Sequence, residues 1–418
     1  MEYGLIGHPL RHSFSPEIHR LCGESFKAPY DYVLNDIEDD DALKRFLTEK
    51  RFKAVNVTIP YKQKVIPFLD WISPQAASIG AVNLIVNDNG TLKGYNTDYY
   101  GLKDLLEASS ISPSGKNCLI LGHGGTSKTA KALLSDSGAS KIIFASRHPG
   151  GENELSYQEV SSRGTEFQLI VNTTPSGMFP HNEEQPIDLN YFPNLEGVAD
   201  AIFNPLQSNL VLQAKKLGIK ASGGLRMLVA QAVHAASIFL NRPIEDGMIE
   251  SIYSNCLKRK SNIVLIGMPT SGKTTLGKRL AAESGRPFYD VDEMVGDKTG
   301  LSASDYIKAH GEASFRDVES QVIAELAPLS GVVIATGGGS ILREENLRRL
   351  RQNGTLYFLN RPLSQLKAKS DRPLSADIES LKKRYQERLP LYKAAADVTI
   401  NGRLTLERKC QLILGEKK

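Results

Sequence analysis

The feature that most restricts the fold of this chain is a glycine-rich loop that begins at Gly267 and ends at Thr274. The loop reads Gly-Met-Pro-Thr-Ser-Gly-Lys-Thr. A mostly apolar run, 262–266, precedes it, and residues 276–282 follow it with a helical pattern. A GxxxxGK(S/T) loop between a strand and a helix binds phosphate groups through backbone N–H groups and the positive helix terminus. Because such loops open their domain, we predict that a nucleotide-binding α/β domain starts near residue 260.

The length and charge of the chain show what else it must contain. With 418 residues, 41% of them hydrophobic, the chain is long enough for two or three ordinary domains. Residues 258–418 carry 28 basic and 19 acidic side chains, which suits anionic ligands such as ATP. Nucleic acid is a weaker alternative, because no dense basic block with interleaved aromatic residues is present. We therefore expect small-molecule substrates and no nucleic-acid partner, while the oligomeric state stays open.

The cysteines and the hydropathy pattern bear on location. The four cysteines, Cys22, Cys118, Cys256 and Cys410, have no metal-binding spacing, which favours reduced thiols in a cytosolic enzyme. There is no basic-then-apolar leader, and no apolar run approaches 18 residues. We expect a cytoplasmic protein without a membrane partner.

Strand-like runs alternate with helical patterns, which predicts an α/β fold with parallel sheets. We predict an α/β substrate domain at 1–100, with 238–257 packing back onto it, and a Rossmann-like domain at 101–237. A linker at 258–261 then leads to the phosphate-loop domain at 262–418. The strand-like runs of the first half are 3–6, 30–34, 54–57, 82–86, 118–121, 141–145, 168–171 and 197–202.

A second glycine-rich turn lies in the predicted Rossmann-like domain. Gly122, Gly124 and Gly125 stand between a strand and a helix, where glycines permit close approach of a pyrophosphate. A plain turn is the alternative for so short a motif. Ser146 and Arg147 end the next strand, where an NAD-binding protein usually has an acidic residue. Arginine suits a 2′-phosphate instead, so we predict NADP(H) as the cofactor.

Several polar residues upstream would be unremarkable if each were seen alone. Serine commonly caps a helix, lysine commonly lies on the surface, and an aspartate after threonine commonly starts a helix. Together, however, the motifs of the first half resemble the shikimate dehydrogenase family over residues 1 to about 257. The matching segments are 4–16, 56–62, 80–83, 96–98, 122–128, 172–178 and 223–232.

The resemblance implies roles for individual residues. Lys62 and Asp98 would be the catalytic pair, since a lysine paired with a carboxylate can bind a ketone oxygen and relay a proton while the cofactor supplies hydride. Phe203 departs from the family, which usually has tyrosine there, and this puts substrate affinity in doubt. The implied substrate-binding residues are Ser13, Ser15, Thr58, Asn83 and Gln231. The implied NADP-binding residues are Gly122, Gly124, Gly125, Ser146, Arg147, Gly224 and Met227.

In the second half, residues 288–292 (Phe-Tyr-Asp-Val-Asp) predict a strand that ends in two carboxylates on one face. A strand end capped by acids is the structural alternative. In a phosphoryl-transfer site, one carboxylate lies near Mg²⁺ and the other accepts the proton of the attacking hydroxyl. A glycine run at 337–339, after a predicted strand at 332–335, lets a substrate lie against backbone or forms only a flexible turn.

These features resemble shikimate kinases over about residues 262–416. Besides the loop, the matching segments are 288–295, 311–320, 335–339, 371–374 and 387–392. The implied catalytic residues are Lys273 on the β- and γ-phosphates, Asp292 on the attacking hydroxyl and Arg372 in a lid. The implied ATP-binding residues are Thr270, Ser271, Gly272, Lys273, Thr274, Thr275 and Arg372, with Mg²⁺ on Thr274 and, through water, Asp290. The implied substrate-binding residues are Asp292, Arg316, Gly337, Gly338, Gly339 and Arg388.

The two resemblances together predict a bifunctional enzyme that makes shikimate with NADPH and phosphorylates it with MgATP. The predicted lid is short, and Lys369 stands where the family often has an arginine near the adenine. Three alternatives stay open: a dehydrogenase that prefers quinate and NAD, a non-catalytic first half, and a kinase for another small alcohol.

Overall fold

The computed structural model describes residues 2–10, 13–366 and 378–415. It divides the chain into two compact units, Met1–Leu257 and Lys258–Lys418. Within the described ranges, no helix has both the length and the apolar character that crossing a membrane requires.

The first sheet of the first unit has six strands in the order β2-β1-β3-β5-β6-β4. It is mixed rather than parallel, because β5 pairs antiparallel with both β3 and β6. Asn89 and Gly90 join β5 to β6 with positive φ angles of 50° and 93°, which is the geometry of a tight hairpin turn. The strands are β1 (Tyr3–Gly7), β2 (Tyr32–Asp36), β3 (Ala54–Val57), β4 (Trp71–Ile72), β5 (Leu84–Asp88) and β6 (Thr91–Tyr95).

The second sheet of this unit has six parallel strands in the order β12-β11-β10-β7-β8-β9. Alternate residues of β7 pack into different clusters: Cys118 and Ile120 on one face, Leu119 and Leu121 on the other. Burial of both faces is typical of parallel sheets covered by helices. The strands are β7 (Asn117–Leu121), β8 (Lys141–Ser146), β9 (Glu154–Ser156), β10 (Leu169–Asn172), β11 (Gly197–Asp200) and β12 (Lys220–Ser222).

Helices of the first unit cover these sheets. The two that matter most for the site are α4 and α8, which pack closely because Gly101 has no side chain: a Cβ there would lie 2.6 Å from the carbonyl oxygen of Met227. The helices are α1 (Ser15–Ser25), α2 (Asp40–Glu49), α3 (Pro74–Ile79), α4 (Asp98–Ala108), α5 (Gly125–Asp136), α6 (Tyr157–Ser162), α7 (Asn209–Lys216), α8 (Leu225–Leu240) and α9 (Met248–Lys260).

The second unit is built on a parallel sheet of five strands in the order β14-β15-β13-β16-β17. Its central strand alternates between two cores, with Val264 and Ile266 in one and Ile263 and Leu265 in the other. The strands are β13 (Asn262–Ile266), β14 (Phe288–Asp290), β15 (Val333–Ala335), β16 (Gly354–Asn360) and β17 (Val398–Asn401).

Helices pack on both faces of this third sheet. The longest one breaks at Gly311, whose φ of 84° and ψ of 163° are not helical. The helices are α10 (Lys273–Ser284), α11 (Val291–Thr299), α12 (Ala303–Leu326), α13 (Glu344–Asn353), α14 (Ile378–Ala395) and α15 (Leu406–Leu414).

Three local features differ from the sequence predictions. The predicted linker 258–261 is largely helical, because α9 continues to Lys260. The antiparallel strand β6 was not predicted, and it makes the first sheet mixed. The strand predicted at 288–292 ends at Asp290, whose carboxylate caps α11 by accepting hydrogen bonds from the N–H groups of Asp292 and Glu293. Aspartate favours such a cap over a strand interior.

Candidate active sites

The first candidate site begins at the carboxyl ends of β1 and β3. These neighbouring strands are parallel, with Ile6 opposite Val57, so the segments that follow them leave the same edge of the sheet. The N–H of Thr58 donates to the carbonyl of Ile6 at 2.9 Å, which joins the two segments. Ser13 and Ser15 follow β1, and Ser15 is the first residue of α1, where its N–H donates to Oγ of Ser13 at 3.2 Å.

Lys62, four residues after Thr58, forms the central contact of this site. Its Nζ donates a hydrogen bond to Oδ2 of Asp98 at 2.6 Å. The two side chains are only 17% and 10% exposed, so water screens this ion pair weakly. The structure thus brings together the two residues that the sequence proposed as a catalytic pair.

Asn83 fixes the orientation of Asp98. Its Nδ2 donates to Oδ1 of Asp98 at 2.9 Å, while its own Oδ1 accepts from the N–H of Thr97 at 2.6 Å. Gln231, on α8, contacts the same amide, with its Oε1 3.5 Å from Nδ2 of Asn83. Both carboxylate oxygens of Asp98 are therefore hydrogen-bonded, and the Lys62–Asp98 pair lies in a polar cluster with Asn83 and Gln231. In the described part of the chain, no hydrogen bond ties Ser13, Ser15 or Thr58 to this cluster.

The glycine-rich turn after β7 lies next to Lys62. Gly122 has a φ of 99°, which favours glycine, and Gly125 opens α5. A Cβ added to Gly125 would lie 4.0 Å from Cδ of Lys62, whereas one added to Gly124 would meet no atom within that distance. A dinucleotide bound at the N-terminus of α5 would therefore lie beside the Lys62–Asp98 pair.

Residues at the end of β8 present a positive charge to the solvent beside this turn. Arg147 is exposed and forms no hydrogen bond or ion pair with any described residue. It is near Tyr157: burial raises the pKa of the Tyr157 hydroxyl, and the charge of Arg147 acts in the opposite direction. The Oγ of Ser146 accepts a hydrogen bond from the N–H of His148 at 3.1 Å.

An acidic residue that the sequence reasoning missed also lies here. Glu154 is on β9, and its Oε1 is 3.3 Å from Nδ1 of His123 in the glycine-rich turn. The N–H of Gly150 is the main cause that lowers the pKa of Glu154, and His123 adds to the effect. Sequence reasoning missed Glu154 because an acidic residue of this kind is expected directly after the strand, whereas Glu154 comes after a loop that follows β8.

The remaining predicted cofactor residues belong to the start of α8. The N–H of Gly224 donates to the carbonyl of Ile202 at 2.7 Å, and a Cβ on Gly224 would collide with the carbonyl of Ala201. Met227 is 7% exposed and packs into the core under the second sheet. Phe203 is half-buried and packs against a neighbouring apolar cluster, so a phenyl ring is accommodated without its hydroxyl.

A buried carboxylate stabilises the strand ends near this turn. Oδ1 of Asp200, at the end of β11, accepts from Nδ2 of Asn172 and from the N–H of Ile202, both at 3.0 Å. Complete burial raises the pKa of the Asp200 carboxyl to about 6. Through its hydrogen bond with Asn172, Asp200 ties β11 to β10.

The second candidate site is centred on the phosphate-binding loop between β13 and α10. Positive φ angles at Gly267, Thr270 and Gly272 (150°, 62° and 97°) bend the loop around its centre. Nζ of Lys273 donates to the carbonyls of Gly267 and Met268 at 2.9 and 3.0 Å, which holds the lysine across the loop. Ser271 is buried within the loop, and Thr275 lies in the first turn of α10.

Oxygen donors for a cation meet at the start of α10. Oγ1 of Thr274 donates to Oδ2 of Asp290 at 2.7 Å. No cluster of three or more His, Cys, Asp or Glu side chains suited to a metal occurs among the described residues. A hydroxyl and one carboxylate fit Mg²⁺ nevertheless, since this ion usually combines one or two carboxylates with water and substrate phosphates.

Two cavities lie beside the loop. One of about 390 Å³ is lined by Lys273, Thr274, Asp290, Asp292 and Thr336, among others. The second, of about 540 Å³, is lined by Arg361, Gly402, Arg403 and Lys409 together with Gly272. Sequence reasoning missed these four residues, because they follow β16 and β17 and carry no local motif.

Arg361 lines both cavities, and its Nη1 is 3.4 Å from the carbonyl oxygen of Thr270. Burial, and then the charge of Arg361, lowers the pKa of Lys409. Lys369 and Arg372, which the sequence placed near the nucleotide, lie outside the described residues.

The glycine run after β15 connects the carboxylates to the arginines. A Cβ on Gly337 would lie 2.8 Å from Oδ1 of Asp292, and one on Gly339 would collide with the guanidinium of Arg316. Nη1 of Arg388 donates to the carbonyl of Gly338 at 2.9 Å. One small molecule on this backbone surface could thus contact Asp292 and the arginines together.

Comparison with known proteins finds a family model in each of the two units. Residues 5–85 match the family model of the shikimate dehydrogenase substrate binding domain, and residues 269–415 match that of shikimate kinase. The shikimate dehydrogenase (NADP⁺) of Clostridium beijerinckii is 36% identical over 262 residues, which span 60% of this chain and 96% of the relative.

Solved structures give the same result for the first unit. A chorismate mutase/shikimate 5-dehydrogenase fusion protein from Clostridium acetobutylicum superposes with a TM-score of 0.57 at 33% identity, covering 61% of this chain and 96% of that one. Shikimate 5-dehydrogenase from Thermus thermophilus, solved with NADP(H) and shikimate, gives 0.55 at 29% identity, covering 61% and 99%. The predicted fold class and family resemblance are confirmed. The chain therefore belongs to the shikimate dehydrogenase family and carries a shikimate kinase domain in its second part.

Proposed function

We propose that this chain catalyses two consecutive reactions. The first is the NADPH-dependent reduction of 3-dehydroshikimate to shikimate, and the second is the phosphorylation of shikimate by MgATP to shikimate 3-phosphate. One observation carries the proposal: the Lys62–Asp98 pair, at 2.6 Å beside a dinucleotide turn, occurs in the same chain as a complete phosphate-binding loop.

In the reduction, Lys62 is the residue that handles the proton. Its Nζ donates a hydrogen bond to the ketone oxygen and transfers a proton as that oxygen becomes a hydroxyl, while Asp98 orients the amine. NADPH, when bound, supplies the hydride. We assign the substrate carboxylate to Ser13 and Ser15, and the ring hydroxyls to Thr58, Asn83 and Gln231. We assign the cofactor to Gly122, Gly124, Gly125, Ser146, Arg147, Gly224 and Met227.

In the phosphorylation, Asp292 orients the attacking hydroxyl and accepts its proton. Lys273 and the N–H groups of the loop hold the phosphates of ATP. Arg372 is assigned to the phosphoryl group that is transferred, and this assignment rests on the resemblance alone. Thr274 and Asp290 would hold Mg²⁺, which neutralises phosphate charge when bound. We assign the ring carboxylate to Arg316 and Arg388, over the glycine run 337–339, since arginine suits planar carboxylates.

A specific observation favours one alternative, a dehydrogenase that uses NAD, with quinate as a further substrate. Glu154 places a carboxylate 3.3 Å from the glycine-rich turn, and an acid in this region usually binds the free ribose hydroxyls of NAD. Arg147 opposes that reading, because it is exposed and unpaired with any described residue beside the same turn. A non-catalytic first half is less well supported, since the only residue in its favour is Phe203, which replaces the usual tyrosine.

We further propose that 1–100 with 238–257 forms the part that binds the dehydrogenase substrate, that 101–237 forms the part that binds the cofactor, and that 262–418 forms the kinase. We place the enzyme in the cytoplasm, because its four cysteines are buried free thiols and its cosubstrates are NADPH and ATP.

A one-pot assay tests the function. Purified full-length protein receives 3-dehydroshikimate and NADPH, and MgATP is added later; NADPH loss followed by shikimate-dependent ADP release is the expected order. Lys62→Ala should abolish NADPH oxidation and leave phosphorylation of supplied shikimate intact, whereas Lys273→Ala should do the reverse. ADP release from supplied shikimate without any NADPH oxidation by the unaltered chain would contradict the dehydrogenase activity. NADPH oxidation without ADP release would contradict the kinase activity.

A further inference from the structure

Helix α14 carries a second arginine on the face from which Arg388 reaches the glycine run at 337–339. Arg384 and Arg388 are four residues apart, so they lie on the same face of the helix. Arg388 is buried on that face, where its Nη1 reaches the carbonyl of Gly338 at 2.9 Å. Arg384 therefore lies one helical turn before Arg388 on the same face of the helix.

Arg316 lies against Gly339 of the same glycine run and is already paired. Its Nη1 donates to Oε2 of the fully buried Glu319 at 2.8 Å, and its Nη2 donates to Oε1 of Glu312 at 2.9 Å. Although burial lowers the pKa of Arg316, these two carboxylates raise it overall. The Nε of Arg316 is buried and has no hydrogen-bond partner, so one donor of this guanidinium is still unused.

Arg384 has no comparable partner. Its Nη1 is buried without a hydrogen-bond partner, and the side chain forms no ion pair with a described residue. Burial, and then the charge of Arg388, lower the pKa of Arg384; the charges of Glu312 and Glu387 act in the opposite direction, and that of Arg316 adds to the lowering. A buried donor without an acceptor is costly, and the repulsion from two neighbouring cations opposes the attraction of the two carboxylates. Such a group is stabilised when an anion binds to it.

We propose that Arg384 is a third guanidinium of the carboxylate subsite, which binds the ring acid together with Arg316 and Arg388 and sets the preference for an acid over a neutral ring. The inference rests on the proposed kinase function and adds a specificity-determining residue to it. The carboxylate is favoured over a phosphate of ATP, because the charged groups that act on Arg384 are Arg388, Glu312, Glu387 and Arg316 and do not include Lys273. Arg384 is also absent from the lining of the cavity around Lys273.

The test compares Arg384→Met with Lys383→Met in the full chain. Methionine keeps the length and helix propensity of the side chain while removing the charge, and Lys383 is an exposed neighbour on the same helix. Kinase KM values are measured for shikimate, for its uncharged carboxamide and for ATP. We expect Arg384→Met to raise the KM for shikimate by roughly tenfold or more, the loss typical of one charge-assisted hydrogen bond. The KM values for the carboxamide and for ATP, and all those of Lys383→Met, should stay unchanged.

Two outcomes would overturn the inference: an unchanged KM for shikimate, or an equal rise for shikimate and ATP, which would indicate a phosphate contact or general damage. Arg384→Lys keeps the charge, so its KM for shikimate should lie between those of the unaltered chain and Arg384→Met. It replaces Arg384→Met in the test if that variant does not fold. Calorimetric titration of shikimate without ATP separates this inference from the proposed function. Because the proposed dehydrogenase site of the same chain would also bind shikimate, the readout is the site whose Kd differs between the unaltered chain and Arg384→Met. If the unaltered chain binds shikimate but does not phosphorylate it, the kinase reaction is contradicted. The role of Arg384 is then judged by the ratio of the Kd values for shikimate of Arg384→Met and the unaltered chain. No binding at all would overturn both.

Discussion

At the scale of single residues, the cofactor preference of the first unit depends on two opposite charges near one glycine-rich turn. Arg147 is exposed and has no described ion-pair partner, so its guanidinium is available to a 2′-phosphate. Glu154 lies 3.3 Å from His123 of that turn, and its carboxylate would repel the same phosphate. We expect Arg147 to prevail, because Glu154 is already bound by the N–H of Gly150 at 2.9 Å and by His123.

Replacement of Arg147 by alanine should therefore change the use of NADPH selectively. We expect the KM for NADPH to rise by about tenfold to a hundredfold, as the loss of a charge-assisted hydrogen bond predicts, and the KM for NADH to stay nearly constant. Steady-state oxidation of both cofactors with 3-dehydroshikimate measures the two values.

Arg163→Ala is the matched control for this prediction. Arg163 belongs to the same unit, but its guanidinium is occupied by both oxygens of Glu166, at 2.7 and 2.8 Å. Its removal should leave both KM values unchanged. Equal effects of Arg147→Ala on NADPH and NADH would exclude the 2′-phosphate role and revive the preference for NAD.

At the scale of secondary-structure elements, the polar cluster around Lys62 and Asp98 depends on how closely α4 and α8 approach. Asp98 begins α4, and Gln231 lies in the middle of α8. Gly101 sets their separation, because its missing side chain leaves room for the carbonyl of Met227 and for Cβ of Gln231, 2.6 and 3.0 Å from where a Cβ would be. A Cβ at position 101 would meet the backbone of α8, which cannot move aside as a flexible side chain could.

Gly101→Ala should consequently force the two helices apart. We expect kcat of the dehydrogenase to fall by about a hundredfold, since small displacements of a reacting pair cost that much, while the kinase keeps its rate. Lys103→Ala, at an exposed position of the same helix, is the control and should retain full activity. A Gly101→Ala protein with normal dehydrogenase kinetics would show that helix spacing does not position Asp98.

The same elements show what a sequence can and cannot predict. The phosphate-binding loop and β7 with its glycine turn were predictable, because their residues are consecutive and obey local rules of conformation. Asn89-Gly90 was an available signal for the hairpin of β5 and β6 that was overlooked. The contact between Asn83 and Gln231 joins residues 148 positions apart. Arg384 stands outside every matching motif and is related to Arg388 only by its spacing along α14. Neither leaves a local pattern, so only the family resemblance could indicate Gln231, and nothing indicated Arg384.

At the scale of the whole molecule, the two units have separate hydrophobic cores. The clusters around the third sheet contain only residues of Lys258–Lys418, and the clusters around the first two sheets contain only residues of Met1–Leu257. The chain has a single tryptophan, Trp71, which lies on β4 with its ring 5.4 Å from that of Tyr95. Trp71 fluorescence therefore reports unfolding of the first unit specifically.

Ligands should stabilise the two units independently. In urea unfolding of the full chain, NADP⁺ at a hundred times its Kd should raise the free energy of unfolding reported by Trp71 by about 2.7 kcal/mol, the value that mass action gives for a single site. MgADP should leave the unfolding transition reported by Trp71 unchanged. It should shift only the unfolding transition of the second unit, seen by far-ultraviolet circular dichroism, to higher urea concentration. Lys273→Ala, which removes the phosphate-binding lysine, should abolish the MgADP shift and retain that of NADP⁺. A Trp71 transition that MgADP shifts in the unaltered chain, but not in Lys273→Ala, would show that nucleotide binding in the second unit stabilises the first, and would contradict their independence.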